Sequence, residues 1–217
     1  MFSILELFKI GSILLLVIFF ILYKMSRIER KSVSVIHIIV SILFVVYIFC
    51  VFRIVGIPSI RNVIDGNYLM NISLIPFIEF SYMSRRSVWY NIIGNLLLFI
   101  PLGILLPCLS PRYKNIFRAV AFGAVTSLLI ECSQLFTLYR VTDIDDLIVN
   151  VIGTLVGYLL YWVLRFVLDL FSSNIVNTLD WKKVNYQKLV KRSFIIKHEA
   201  ALYIAIVYIV YVCIYSI

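Results

Sequence analysis

Glu131 is the one acidic residue in an apolar stretch, residues 117–138, with Ser127 before it and Gln134 after it. A carboxylate held away from bulk water can serve as a general acid or base. A second stretch holds no Lys, Arg, Asp or Glu from Ser87 to Pro111, yet carries Asn91 and Asn95 four residues apart. That spacing puts both amides on one helical face. A third opens on Asp143-Ile144-Asp145-Asp146 and continues through Asn150, Gly153 and Gly157, along one side of a helix. Just ahead of it lies Arg140. A guanidinium there could grip a phosphate or carboxylate with two parallel hydrogen bonds. Glu131, Asp146 and Arg140 are therefore the candidate catalytic residues, and Asn91, Asn95, Gln134, Asp143 and Asn150 the candidate substrate-binding residues.

Plainer roles compete for the same side chains. Buried amides also act as interhelical hydrogen-bond glue, worth about 0.6 kcal/mol each in membranes. Glu131 could form a structural ion pair with Arg140. Thr142-x-x-Asp145 fits a capping box, and Asp143 and Asp146 suit the positive end of a helix. The acidic run is a weak metal signal, since carboxylates at one helix start do not make a cage. No metal ligand is assigned and no cofactor is implied. Neither a Ser-His-Asp nor a Cys-His arrangement is evident, Cys50, Cys108, Cys132 and Cys213 are scattered, and His37 and His198 lie far apart.

What must position these groups is a membrane bundle. The 217 residues are 63% apolar and 14% charged, against roughly 45–50% and 25% in soluble chains. A span needs about 20 apolar residues. Six segments qualify: 3–23, 33–52, 88–108, 117–138, 144–168 and 199–217. The expected fold is an all-α, polytopic transmembrane bundle forming a single membrane domain over 1–217. The net charge of +9 clusters beside apolar runs, as orientation signals do, and does not indicate a nucleic-acid partner. Fourteen of the twenty basic residues fall on one side, among them Lys24, Arg27, Arg112, Lys114 and Lys182. The positive-inside rule makes that side cytoplasmic and puts both termini outside. The basic loop 172–198, with Trp181, Leu189 and Phe194, would then lie on the inner leaflet against membrane lipid or serve as a solvated connector.

Counting 1.5 Å per residue from these boundaries puts Asn95, Glu131 and Asn150 each roughly 10 Å below the outer edge. Three polar stripes at one depth predict an outward-opening pocket, with Gly153 and Gly157 below it allowing close helix packing.

The motifs also carry a resemblance. In order come Asn71–Phe77 (NISLIPF), Asn91-Ile-Ile-Gly94-Asn95 with Phe99-Ile-Pro101-Leu-Gly103, Glu131-Cys-Ser-Gln134, and Arg140-x-x-Asp143-x-Asp145-Asp146-x-x-x-Asn150-x-x-Gly153. Over residues 68–160 the chain resembles VanZ-like membrane proteins. The resemblance implies a bacterial cell-membrane location and an association with the cell envelope and with resistance to teicoplanin-type glycopeptide antibiotics. It implies no settled reaction. It maps the family's polar positions onto Asn95, Glu131, Gln134, Arg140, Asp143, Asp146 and Asn150.

Three functions fit the residues. One is an enzyme acting on a lipid-linked cell-wall precursor or another amphiphile. The second is a non-catalytic binder of a lipid headgroup or a lipoglycopeptide. The third is a transporter, which ordinarily needs polar groups near the bilayer midplane. Here they sit in the outer half.

Overall fold

The computed structural model describes residues 11–13, 15–16, 18–23, 35–58, 63–66, 72–73, 75–76, 84–137, 142–171 and 194–215. Arg140, Asn71, Phe77 and residues 172–193 of the basic loop lie outside the described residues.

Six helices carry the apolar runs. They are α1 (Gly11–Tyr23), α2 (Val35–Val55), α3 (Arg85–Leu109), α4 (Ile116–Gln134), α5 (Ile144–Phe171) and α6 (Glu199–Tyr215). Of these, α2, α3, α4 and α5 are long and apolar enough to cross a membrane, whereas α1 and α6 are apolar but shorter. Large apolar side chains such as Leu97, Val125, Leu129 and Phe166 are exposed on the outside of the bundle, where lipid rather than water suits them.

Local chemistry sets the helix ends. α2 stops at Gly56, whose φ of 73° is the left-handed conformation that ends helices and favours glycine. The Gly56 amide donates to Phe52 O at 3.2 Å, closing that turn. The Ser84 hydroxyl caps α3 by accepting from the Ser87 amide at 3.2 Å. Asn115 caps α4 in the same way, accepting from the Arg118 amide at 3.1 Å. Only a short 3-10 turn, Pro111–Lys114, separates α3 from α4, so the two run in opposite directions.

The α3–α5 crossing is the most extensive helix pairing, and glycine makes it possible. A Cβ at Gly153 would lie 2.6 Å from the Leu96 carbonyl oxygen, one at Gly157 would strike the Ile100 carbonyl, and one at Gly103 would strike the Thr154 carbonyl. From α4, Gly123 meets the Thr154 side chain. The backbones of α3 and α5 are in direct contact.

At the other side of the bundle, α2 and α6 are joined by a buried polar cluster. His37 Nε2 lies 2.8 Å from Glu199 Oε1, and the same oxygen accepts from Tyr203 OH at 3.1 Å and from Ser41 Oγ at 3.5 Å. All four residues are buried. Sequence reading passed over this cluster because its halves are 162 residues apart. A Glu opening the last apolar run was the one available signal.

An all-α architecture is interrupted by one short ladder. Ile72–Ser73 (β1) pairs in parallel with Thr142–Asp143 (β2), Ile72 opposite Thr142 and Ser73 opposite Asp143. Part of the Asn71–Phe77 motif is thereby joined to the start of α5.

Candidate functional site

The site forms where α3, α4 and α5 meet beside this ladder. On α3, one helical turn separates Asn91 from Asn95, so both amides reach the same acceptor. Asn95 Nδ2 donates to Asp146 Oδ1 at 2.6 Å, and Asn91 Nδ2 donates to the same oxygen at 3.2 Å. One carboxylate oxygen of α5 thus gathers both amides of α3. Asn91 is exposed and Asn95 and Asp146 are half-buried, so this arm of the site is reachable.

Glu131 is buried, at 4% exposure. Its Oε2 accepts the Asp143 amide at 3.2 Å, and its own carbonyl accepts from Thr142 Oγ1 at 2.9 Å. The carboxylate thus fastens the end of α4 to the entrance of α5. Asp143, at 3% exposure, accepts the Asp145 amide through Oδ1 at 3.0 Å. Asp143 is the residue that caps α5. The capping box expected from Thr142 and Asp145 is not what forms, because Thr142 is held in the ladder and spends its hydroxyl on Glu131.

Asn150 is buried one level lower. Its Nδ2 donates to Ser127 Oγ at 2.9 Å, joining α5 to α4. Thr154 Oγ1 donates to the Asn150 carbonyl at 3.0 Å. Gln134 points elsewhere. Its Nε2 donates to Val55 O at 3.0 Å, supplying a partner to a carbonyl at the end of α2 that the helix itself leaves open.

These pairings revise the expected single depth. α4 ends at Gln134 and not at 138, while α3 begins at Arg85 and not at 88. Counted from the observed ends, Glu131 lies roughly 5 Å along α4, Asn150 roughly 9 Å along α5 and Asn95 roughly 15 Å along α3, so distance from a helix end does not set a common level. The polar groups form a ladder down α5, with Glu131 against Asp143, Asn95 against Asp146 and Ser127 against Asn150. The three expected helices converge, but in steps. Arg140, the expected anion grip, lies outside the described residues.

Among the described residues, buried Asp143 Oδ2 and Asn150 Oδ1 have no hydrogen-bond partner, nor has the hydroxyl of Ser73, the residue paired with Asp143 in the ladder. Among the described residues no group of three His, Cys, Asp or Glu side chains is placed to share a metal ion. Chemically, the arrangement can accept hydrogen bonds from a ligand's hydroxyl or ammonium and can exchange a proton at a carboxylate.

The conserved pattern that defines the VanZ/LLP1 family matches residues 44–165, which takes in every helix of this site. The chain belongs to the VanZ/LLP1 family. Comparison with curated proteins and with solved structures returned no match. The matched stretch of this VanZ/LLP1 chain contains the interlocked α3–α5 pair and the whole of α4, whereas His37 and Glu199 fall outside it. Family membership thus covers the Asn–Asp–Glu ladder and not the buried cluster between α2 and α6.

Proposed function

We propose that this VanZ/LLP1 protein sits in the bacterial cell membrane with six spans and both termini outside. There it engages the headgroup of a lipid-linked or amphiphilic envelope molecule, through which it contributes to resistance against teicoplanin-type glycopeptides. The observation that carries the reading is the Asp146 carboxylate, approached by two amides from α3 and one turn from the Asp143–Glu131 contact. A cluster of carboxylates and amides beside apolar helix faces suits a molecule that is polar at one end and oily at the other. The charge asymmetry of the loops supports the reading that this end of the bundle faces outside.

Two versions of the function differ in one step. In the catalytic version, Glu131 moves a proton at the headgroup. In the binding version, the headgroup is held and no bond changes. The fixed, buried state of Glu131, spent on the Asp143 amide, favours binding. Glu131→Gln separates them, because the Gln carbonyl still accepts from Asp143 and the fold is kept. Resistance measured at equal membrane abundance should survive this change if binding suffices. Loss of resistance would make the Glu131 charge part of the function. Inward movement of a labelled amphiphile in sealed vesicles would replace both versions with transport.

A further inference from the structure

The opposite side of α4 carries a second feature. Between α4 and α6, with Phe52 of α2 at one end, lies a cavity of about 500 Å³. Its wall is made largely of apolar side chains, among them Phe122, Val125, Leu129, Ile204 and Ile209. The few polar groups in it are already engaged. Thr126 Oγ1 donates to Phe122 O at 2.8 Å and Ser133 Oγ to Leu129 O at 2.7 Å, while Ser133 Oγ and Tyr208 OH lie 3.2 Å apart. A cavity whose polar atoms are satisfied stays dry and takes hydrocarbon.

Two further observations say which hydrocarbon. Val125, Leu129 and Ile209 are between 55% and 59% exposed and belong to the outer apolar surface as well as to the cavity. The cavity is therefore an inward fold of the surface that suits lipid, open sideways to lipid tails. Ala201 and Ala205, one turn apart on α6, keep it open by being small. Along α4 it runs from Phe122 to Ser133, with Phe136 just past the helix end, roughly 17 Å at 1.5 Å per residue. One leaflet contributes about 15 Å of the roughly 30 Å hydrocarbon core. A single tail fits that length, whereas a long polyprenyl chain exceeds it.

We propose that this groove is a binding site for one acyl chain of a membrane amphiphile. Ser133 and Phe136 mark its end at the level of Glu131, so the chain's head emerges at that level on the opposite face of α4 from the carboxylate, which points to α5. The link to a headgroup rests on the functional reading above, while the acyl-chain site stands on its own geometry.

The test uses the full-length protein, purified in mild detergent and weighed by native mass spectrometry. The expected result is one acyl lipid retained per chain. The same retention is expected in Leu128→Trp, an exposed position on α4 outside the groove. Ala205→Trp should reduce retention at least tenfold. Ala201→Leu, a smaller intrusion, should reduce it several-fold and carries the test if Ala205→Trp does not fold. Wild-type protein without bound lipid, equal retention in the groove variants, or a retained prenyl lipid would each overturn the proposal. The two readings fail separately. Unchanged lipid in both groove variants removes the chain site, whereas unchanged resistance in both Glu131→Gln and Asp146→Ala removes the headgroup site and leaves the groove.

Discussion

Asp146 is the residue on which the accessible part of the site turns. Its Oδ1 takes two amide donors, and hydrogen bonds to a charged group are worth about 1.5–3 kcal/mol. Asp146→Ala should leave Asn91 and Asn95 without this acceptor and abolish resistance. Because Asn91 is exposed and can turn to water, the stability loss should stay at or below about 2 kcal/mol. Thermal unfolding in detergent beside a resistance assay separates the two effects, and a fully active Asp146→Ala would count against the site. Asn150→Leu should behave in the reverse way. Its partner Ser127 is fully buried, so the change strands a hydroxyl in the bundle and costs about 1–3 kcal/mol. The sequence announced Asn95, Asp146, Glu131 and Asn150 because polar residues inside apolar runs have few places to go. It did not announce their pairings. Glu131 meets a backbone amide and Gln134 a distant carbonyl, partners that residue identity does not encode.

At the level of elements, glycine decides what can meet what. Gly153 and Gly157 were legible as a close-packing pair, but their counterpart Gly103 and the contact of Gly123 with Thr154 emerge only in three dimensions. Gly157→Leu should force α3 and α5 apart, because the atom in the way is a backbone carbonyl. Overpacking typically costs about 1–3 kcal/mol. The expected outcome is loss of folded protein, and of the Asn95–Asp146 contact with it, read by size-exclusion profile and thermal unfolding. The α2–α6 cluster gives a second prediction. Removing one partner of a buried hydrogen bond strands the other and costs about 1–3 kcal/mol. His37→Ala or Glu199→Ala should each approach that loss, while replacing both should cost less than the sum. Strict additivity in that cycle would mean that His37 and Glu199 do not stabilise each other. Helix boundaries were the weaker part of the reading. The end of α4 was placed four residues late, because Leu135 and Phe136 continue the apolar composition after the helix has turned.

For the molecule as a whole, the prediction concerns orientation. α3 runs from Arg85 to Leu109, capped by Ser84, so Ser84 and Lys114 flank opposite ends of a helix long enough to span. With the four native cysteines replaced, Ser84→Cys should react with a membrane-impermeant maleimide on intact cells. Lys114→Cys should react only after permeabilisation. The reverse pattern would put the Asn–Asp–Glu ladder on the cytoplasmic face and remove the basis for an envelope role. Hydropathy made four long helices plain, since a chain this apolar has few alternatives.

The direct backbone contact between α3 and α5 has a mechanical corollary. Two helices keyed together at Gly103, Gly153 and Gly157 move as one stiff unit, so Asn91, Asn95 and Asp146 keep their spacing whether or not anything is bound. The compliant wall is then the seam between α4 and α6, where an oily tail would enter as a wedge against a fixed anvil.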